Sequence, residues 1–249
     1  MIRVFGDSTD DVWRNFGKDD PYFGVLSHEE YSRANLTPAG MEKFFKSGET
    51  HIAELLALIE RDAIPLRIGR ALDFGCGVGR LLIPLATRFR EAIGVDVSEG
   101  MLTECRKNLE HRKLTNVLLF ERIPNLEFDL IHSALSFQHI NAVRGYDIIS
   151  DGWSKVAPGG LLAIQLPIRF TGSRAAWQLR QLRNALPILQ IPYNILSRRR
   201  WNQPGVQMNV YDLNVISAIL LGAGAIQIIL LRHDPDNSFV GVYVLALKA

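Results

Sequence analysis

Apolar and polar positions along this chain follow two rhythms. Short apolar runs bounded by acids or turn formers occur at Arg70 to Phe74, Ala92 to Asp96, Asn116 to Glu121, Phe128 to Ser133 and Leu161 to Leu166. Such runs predict strands of a parallel sheet covered on both faces. Between them lie stretches of helical spacing: Gly79 to Phe89, Ser98 to Arg112 and Asp147 to Val156. Strand and helix in alternation predict an α/β doubly wound fold. Gly224 to Leu231 and Phe239 to Leu247 read as two further strands, joined by a turn at Asp234 to Ser238, for seven in all.

Residues 1–69 precede this core. Thr37-Pro38 supplies an N-cap and a proline at the first helical position, starting a helix to about Phe45. A second helix is expected from His51 to Arg61, with Ile52, Leu55, Leu56 and Ile59 on one face. The working division is one domain over 1–249: a helical cap (1–69), the core (70–167), an insertion (168–223) and a closing hairpin (224–249).

The chemistry gathers where the first strand ends, in D73-F-G-C-G-V-G79. Glycine serves where φ turns positive or where a ligand presses on bare backbone. Asp73 with the alternating glycines therefore suggests a nucleoside-type cofactor. A dinucleotide fingerprint is G-x-G-x-x-G; here Arg80 stands where its third glycine would be. The second strand ends on Asp96, an acid able to reach both ribose hydroxyls of a nucleoside held over the first loop. The alternative, that Asp96 caps the next helix, is weaker because Ser98 is the better-placed cap.

The D-x-G-x-G-x-G stretch resembles motif I of the class I S-adenosylmethionine-dependent methyltransferases, small-molecule type, and downstream elements follow that family's order over roughly residues 70–247. The resemblance implies a Rossmann-like seven-stranded, mostly parallel sheet with the last strand antiparallel, N-terminal helices, and a helical insertion between strands 5 and 6. It implies S-adenosyl-L-methionine as cofactor, held by Asp73, Phe74, Gly75, Cys76, Gly77, Gly79, Asp96, Val97, Met101, Glu121, Arg122 and Ser133. Six residues between Glu121 and Phe128 make a short crossover, so Glu121 stands between adenine contact and surface charge. A157-P-G-G160 resembles the family's turn before strand 5. Family members lay N-terminal helices across the cofactor, which makes Tyr22, Phe23 and Tyr31 acceptor-wall candidates. Gln138 and His139 follow strand 4, where the methyl group would be handed over. Gln138 is a substrate candidate and His139 the catalytic candidate, as base or as pocket wall. The N/D-P-P-Y tetrapeptide of enzymes that methylate exocyclic or amide nitrogens is absent.

Charge sharpens the acceptor. Net charge is +2 over 249 residues, with no global signature of nucleic-acid binding. Yet residues 168–211 hold seven arginines (Arg169, Arg174, Arg180, Arg183, Arg198, Arg199, Arg200) and no Lys, Asp or Glu, leaving −5 elsewhere. Ala175, Leu179, Leu182 and Leu186 form a stripe opposite Arg180 and Arg183, before Pro187 ends that helix. Guanidinium forks pair two oxygens of a carboxylate or phosphate at once. Three partners stay open: an acidic or phosphorylated small molecule under a lid bearing Arg169 and Arg174, an anionic membrane surface met by residues 188–200, or acids of this chain or another subunit. Cys76 and Cys105 give no disulfide framework, no run approaches 18 apolar residues, and no leader is evident, so a cytoplasmic protein is expected. No histidine shows metal-ligand spacing. The expected reaction is metal-independent methyl transfer to a small acceptor, oxygen before nitrogen or carbon. Its rivals are action on a lipid-linked acceptor at a membrane, a non-catalytic cofactor-binding partner subunit, and a nicotinamide enzyme.

Overall fold

The computed structural model describes residues 9–185, 189, 192–193, 196, 206–233 and 238–249. Arg198, Arg199, Arg200, Leu186, Pro187, most of the apolar run before the arginine triplet, and most of the turn begun by Asp234 lie outside the described residues. Seven strands form one sheet: β1 (Arg70–Phe74), β2 (Glu91–Val95), β3 (Val117–Phe120), β4 (Phe128–Ser133), β5 (Val156–Phe170), β6 (Ala225–Arg232) and β7 (Phe239–Lys248). Their order is β3-β2-β1-β4-β5-β7-β6, with β7 antiparallel to both neighbours. The doubly wound, mostly parallel sheet expected from the sequence is therefore present. Strand order reverses direction between β1 and β4, which opens a crevice beyond their carboxyl ends.

Helices cover both faces: α1 (Thr9–Asp19), α2 (Pro21–Val25), α3 (Pro38–Arg61), α4 (Leu82–Ala86), α5 (Glu99–His111), α6 (Ala142–Ser154), α7 (Arg174–Ala185) and α8 (Leu213–Gly222). On one face Leu72, Ile131, Trp153, Tyr211 and Leu220 form a core under α6 and α8. On the other, Ile52, Leu55 and Ile59 of α3 pack on Ala71, Leu130, Ala163 and Leu245. A third cluster joins Phe16, Tyr22, Phe44 and Phe45 to Met101 and Leu102 of α5. The α1–α5 crossing is close because a Cβ on Gly100 would come within 2.6 Å of the Gly17 carbonyl. That approach holds α1 over the crevice.

Several local expectations need correction. The two helices expected between Thr37 and Arg61 are one, α3, capped by Thr37 Oγ1 accepting from the Gly40 N–H. The gap assumed around Lys46 to Thr50 is its solvent face and its contact with the glycine loop: a Cβ on Gly48 would run into the Arg80 carbonyl. The long helix expected from Gly79 shrinks to Leu82–Ala86. Pro84 has no N–H for the Arg80 carbonyl, and tight turns occupy residues 77–81. A157-P-G-G160 is not a separate turn but an irregular start of β5, with Gly159 at φ +72° and a register break against β4.

The α7 stripe behaves differently from expectation. Leu179 and Leu182 are 55% and 48% exposed, so they do not seat this helix. It docks instead through Trp177, 5.1 Å from the Phe170 ring, and through Arg180, whose guanidinium lies 5.3 Å from the Phe239 ring centre. No described helix is long and apolar enough to cross a membrane.

Candidate active site

Beyond the tips of β3, β2, β1 and β4 lies a cavity of about 600 Å³. The sheet order sets the sequence of its walls: Glu121, Arg122 and Ile123 at one end, then Asp96 and Val97, then the glycine loop, then Leu135 to Ile140. Phe74, Gly75, Cys76 and Gly77 line the middle, with Met101 of α5 beside them. Trp13 and Arg14 of α1, with residues 24–28 at the end of α2 and just beyond it, form the roof.

The loop's backbone explains its glycines. Gly75 and Gly77 have φ of +76° and +52°, where an L side chain is strained. A Cβ on Gly75 would collide with Ser136 Oγ, and one on Gly77 would meet Val25 Cγ2 at 2.6 Å. The Gly75 and Cys76 N–H groups both donate to the Val95 carbonyl, tying the loop to β2. Leu135, also at positive φ (+63°), turns the chain sharply after β4. A non-glycine residue held at positive φ beside a cavity, as Leu135 is, is characteristic of functional sites.

Two carboxylates face this cradle. Asp96 accepts from the Gly77 N–H at 3.0 Å and the Ser98 N–H at 2.9 Å. Ser98 itself caps α5, accepting from the Met101 N–H, so Asp96 is free of the capping role. Burial raises the Asp96 carboxyl to about 6, opposed by those two N–H groups and reinforced by the Asp73 charge. Asp73 is buried; its Oδ1 bonds His132 Nδ1 at 2.9 Å, while Oδ2 has no partner among the described residues. Arg80 is also buried and lines the cavity, with its Nε similarly unpartnered. Burial lowers this guanidinium from its ordinary value, with the Asp73 charge opposing.

At the β4 end, a 3-10 turn over Phe137–His139 carries the catalytic candidate. His139 Nδ1 lies 2.8 Å from the Gln207 carbonyl, which can only accept, so Nδ1 carries the proton. Nε2 then accepts from the Gln138 side-chain amide at 3.0 Å. Trp13 covers the ring, centroids 4.9 Å apart. Burial pushes this imidazole down to about 4, against the pull of the Gln207 carbonyl. The stretch leading into α8 straps the turn in place. The Asn209 N–H donates to the Gln138 carbonyl, and the Tyr211 hydroxyl sits 2.9 Å from both the Phe137 and Ile140 carbonyls.

Of the residues expected at the site, Asp73, Phe74, Gly75, Cys76, Gly77, Asp96, Val97, Met101, Glu121, Arg122, Gln138 and His139 share this one cavity. Others lie elsewhere. Ser133 is fully buried behind it, donating to the Phe74 carbonyl. Gly79 sits under the loop, where a Cβ would meet Cys105 Sγ at 2.9 Å. Tyr22 points into the protein, its hydroxyl shared with Glu104 and Asn108 of α5, and Tyr31 packs edge-on against Phe44. Phe23 packs on Phe16. Arg169 pairs in β5 with Val240 of β7, and Arg174 begins α7; both are exposed and neither lines the cavity. Missed from sequence were Trp13, Arg14, Arg80, Ser136 and Arg144. Arg80 had a signal: a charged residue directly after the third glycine, where a dinucleotide site would have none. Trp13 and Arg144 had none, because their placement depends on helices packed across 126 or more residues of chain.

These features define a nucleoside-binding α/β protein. The cradle leaves room for a ligand against bare backbone, Asp96 can accept from a ribose diol, and the unpaired oxygen of Asp73 and nitrogen of Arg80 suit an ammonium and a carboxylate. Residues 71–160 match the family described as a methyltransferase domain. Over that span the chain carries a methyltransferase domain, and the residues of the cradle fit S-adenosylmethionine. It is 31% identical over 153 residues to trans-aconitate 2-methyltransferase of Acidovorax sp. (strain JS42), covering 57% of each chain. Similarity to the 23S rRNA (uracil(1939)-C(5))-methyltransferase of Stenotrophomonas maltophilia (strain R551-3) is 39% over 75 residues, 30% of this chain and 16% of that one. The chain thus spans little more than half the length of the first of these relatives. Among solved structures, magnesium protoporphyrin IX methyltransferase from Synechocystis PCC 6803 with bound S-adenosylhomocysteine has the same fold: TM-score 0.63, 16% identity, 97% of this chain and all of that one. A phosphoethanolamine N-methyltransferase of Haemonchus contortus overlays with TM-score 0.62 at 18% identity, over 98% of this chain and 60% of that one.

Proposed function

We propose that the chain transfers the methyl group of S-adenosylmethionine to an oxygen of a small acidic molecule, forming a carboxylate ester. When bound, that cofactor supplies a methyl group on a sulfonium, whose departure as a neutral thioether needs no activation. The chain's residues then have three tasks: to align an acceptor, exclude water and meet the acceptor's protonation needs. Trp13 on α1 roofs the β4 end and keeps water out. Holding an acceptor in line there can lower the barrier by roughly 7–11 kcal/mol.

The observation that carries the acceptor class is the state of His139. Its Nδ1 proton is committed to the Gln207 carbonyl and its Nε2 lone pair to the Gln138 amide. With burial holding it near 4, it stays neutral and is a poor base at pH 7. A carboxylate acceptor needs no base, because its oxygen is already a nucleophile. Arg14 and Arg144 at the cavity's edge, each paired with an aspartate of α1, offer guanidinium groups to an incoming acid. The trans-aconitate methyltransferases to which the chain is similar have acidic substrates by name, in keeping with this reading.

The test is transfer of labelled methyl from S-adenosylmethionine to a panel of di- and tricarboxylic acids, phosphomonoesters, catechols and amines. The expected product forms with carboxylic acids and is cleaved by hydroxylamine, which opens esters. Hydroxylamine-stable product on a catechol, amine or phosphate, or no turnover with any acceptor despite nucleoside binding, would refute it.

A further inference from the structure

Behind the cradle a row of buried polar side chains crosses the sheet. Parallel register sets Asp73 of β1 beside His132 of β4, and His132 beside Ala163 of β5. The small Ala163 side chain leaves room for Tyr243 of β7 to lean back across β5. His132 Nε2 lies 2.7 Å from the Tyr243 hydroxyl, which lies 3.4 Å from His51 Nε2 on α3. His132 is fully buried and Tyr243 nearly so. One proton arrangement satisfies the whole row: His132 Nδ1–H donates to Asp73 Oδ1, Tyr243 O–H donates to His132 Nε2, and His51 Nε2–H donates to the Tyr243 oxygen.

Such a row is costly to bury unless it is satisfied throughout. It is satisfied except at its cavity end, where Asp73 Oδ2 is left without a partner among the described residues. Arg80, of opposite charge, buried and also short of a partner at Nε, belongs to the same cavity wall and feels the Asp73 charge. A network that served only to lock strand register would have no need of a buried oxygen left unpaired in a residue of the cavity wall.

We propose that His132, braced by Tyr243, is a positioning residue. It fixes the Asp73 carboxylate through Oδ1 so that Oδ2 stays presented, with Arg80, to the amino-acid end of the bound nucleoside. This rests on the cofactor assigned above, and it gives work to three residues outside the cavity wall. None of the three touches the reacting atoms; they act through Asp73.

The test compares two nucleosides by calorimetry on the full chain: S-adenosylhomocysteine, which has the amino-acid tail, and 5′-methylthioadenosine, which lacks it. His132→Leu removes both links. It is expected to weaken S-adenosylhomocysteine about tenfold or more, the worth of one hydrogen bond to a charged group, and methylthioadenosine by about twofold or less. His132→Asn keeps a donor where Nδ1 stood and is expected to restore the first affinity to within about threefold. Tyr243→Phe, which keeps the ring, is expected to weaken S-adenosylhomocysteine about threefold and leave methylthioadenosine unchanged. A second readout is the His132 Nδ1–H proton resonance, which should move on adding S-adenosylhomocysteine but not methylthioadenosine. Equal weakening of both nucleosides, or of neither, in folded His132→Leu would overturn the proposal. If that variant fails to fold, an unaltered ratio of the two affinities in Tyr243→Phe, together with an unmoved resonance in the wild type, overturns it instead. A wild-type chain that binds neither nucleoside would remove the cofactor assignment itself, a different result from an unchanged ratio.

Discussion

Asp96 gives the sharpest quantitative prediction, because the same burial that readies it for a ligand should destabilise the ligand-free protein. Its carboxyl rises from 3.8 to about 6 in the folded chain. About two units correspond to ~3 kcal/mol at ~1.4 kcal/mol per unit. Because the carboxylate opens onto the cavity, solvent screening trims this to ~1–2 kcal/mol. The folded pKa lies above the unfolded one, so the folded state binds the extra proton between about pH 4 and 6. The stability this brings is present below pH 4 and lost as pH rises through about 6. Asp96→Asn cannot ionise and escapes that loss. Asparagine has one acceptor oxygen for the two N–H groups of Gly77 and Ser98, a roughly pH-independent cost of ~1 kcal/mol. Urea unfolding of both proteins without ligand, from pH 4 to 8, isolates the residue, since other titrating groups are shared. The stability of Asp96→Asn minus that of wild type should climb by ~1–2 kcal/mol between pH 4 and 7, then level off. A flat or falling difference would refute the reasoning. In wild type the ionised carboxylate is the better acceptor for ribose hydroxyls, so S-adenosylhomocysteine affinity should fall by up to about tenfold per unit below pH 6.

Three other outcomes follow from the site's geometry. Gly75→Ala places a Cβ against Ser136 Oγ at φ +76°; calorimetry should show about tenfold or greater loss of S-adenosylhomocysteine affinity, partly recovered in Gly75→Ala/Ser136→Ala, and full binding by the single variant would contradict the cradle. Tyr211→Phe leaves the Phe137 and Ile140 carbonyls without the hydroxyl; denaturation should show a loss of ~1–3 kcal/mol, and kinetics about a tenfold fall in kcat/KM for the acceptor with cofactor affinity unchanged. With His139 held near 4, kcat at saturating cofactor should stay flat from pH 6 to 9; an acid limb near the ordinary imidazole value of about 6.5 would instead mark it as a base.

Much of the fold could be read locally, since buried parallel strands are compact apolar runs. Arg70–Phe74 and Phe128–Ser133 emerge with the bounds expected for them. Where a backbone detail outweighed periodicity, the reading failed. Pro84 cut α4 short although the helical spacing from Gly79 to Phe89 suggested a longer helix, and polar residues on the open face of α3 imitated a break. The wall of the cavity along the strand tips was legible because it comes from one contiguous loop and the ends of successive strands. The roof, built from α1 and α2, was not. Tyr22 has the look of a wall residue, yet its hydroxyl finds Glu104 and Asn108, more than 80 positions away. The arginine-rich segment reaches the site in a way its charge did not announce. Gln207, Asn209 and Tyr211, the residues following the arginines, hold the His139 turn, while Arg169 and Arg174 stay outside the cavity. His132 and Tyr243 are separated by 111 residues and meet only because β7 lies next to β5.

The central claim is that the bare-backbone loop after β1 and the carboxylate after β2 hold S-adenosylmethionine. Its most direct measurement is calorimetric titration of the full chain with S-adenosylhomocysteine, and in parallel with NAD. The account predicts one saturable site for S-adenosylhomocysteine, weakened about tenfold or more in Gly75→Ala, and no heat of binding with NAD. Binding of NAD in its place, or no binding of either ligand, would contradict it.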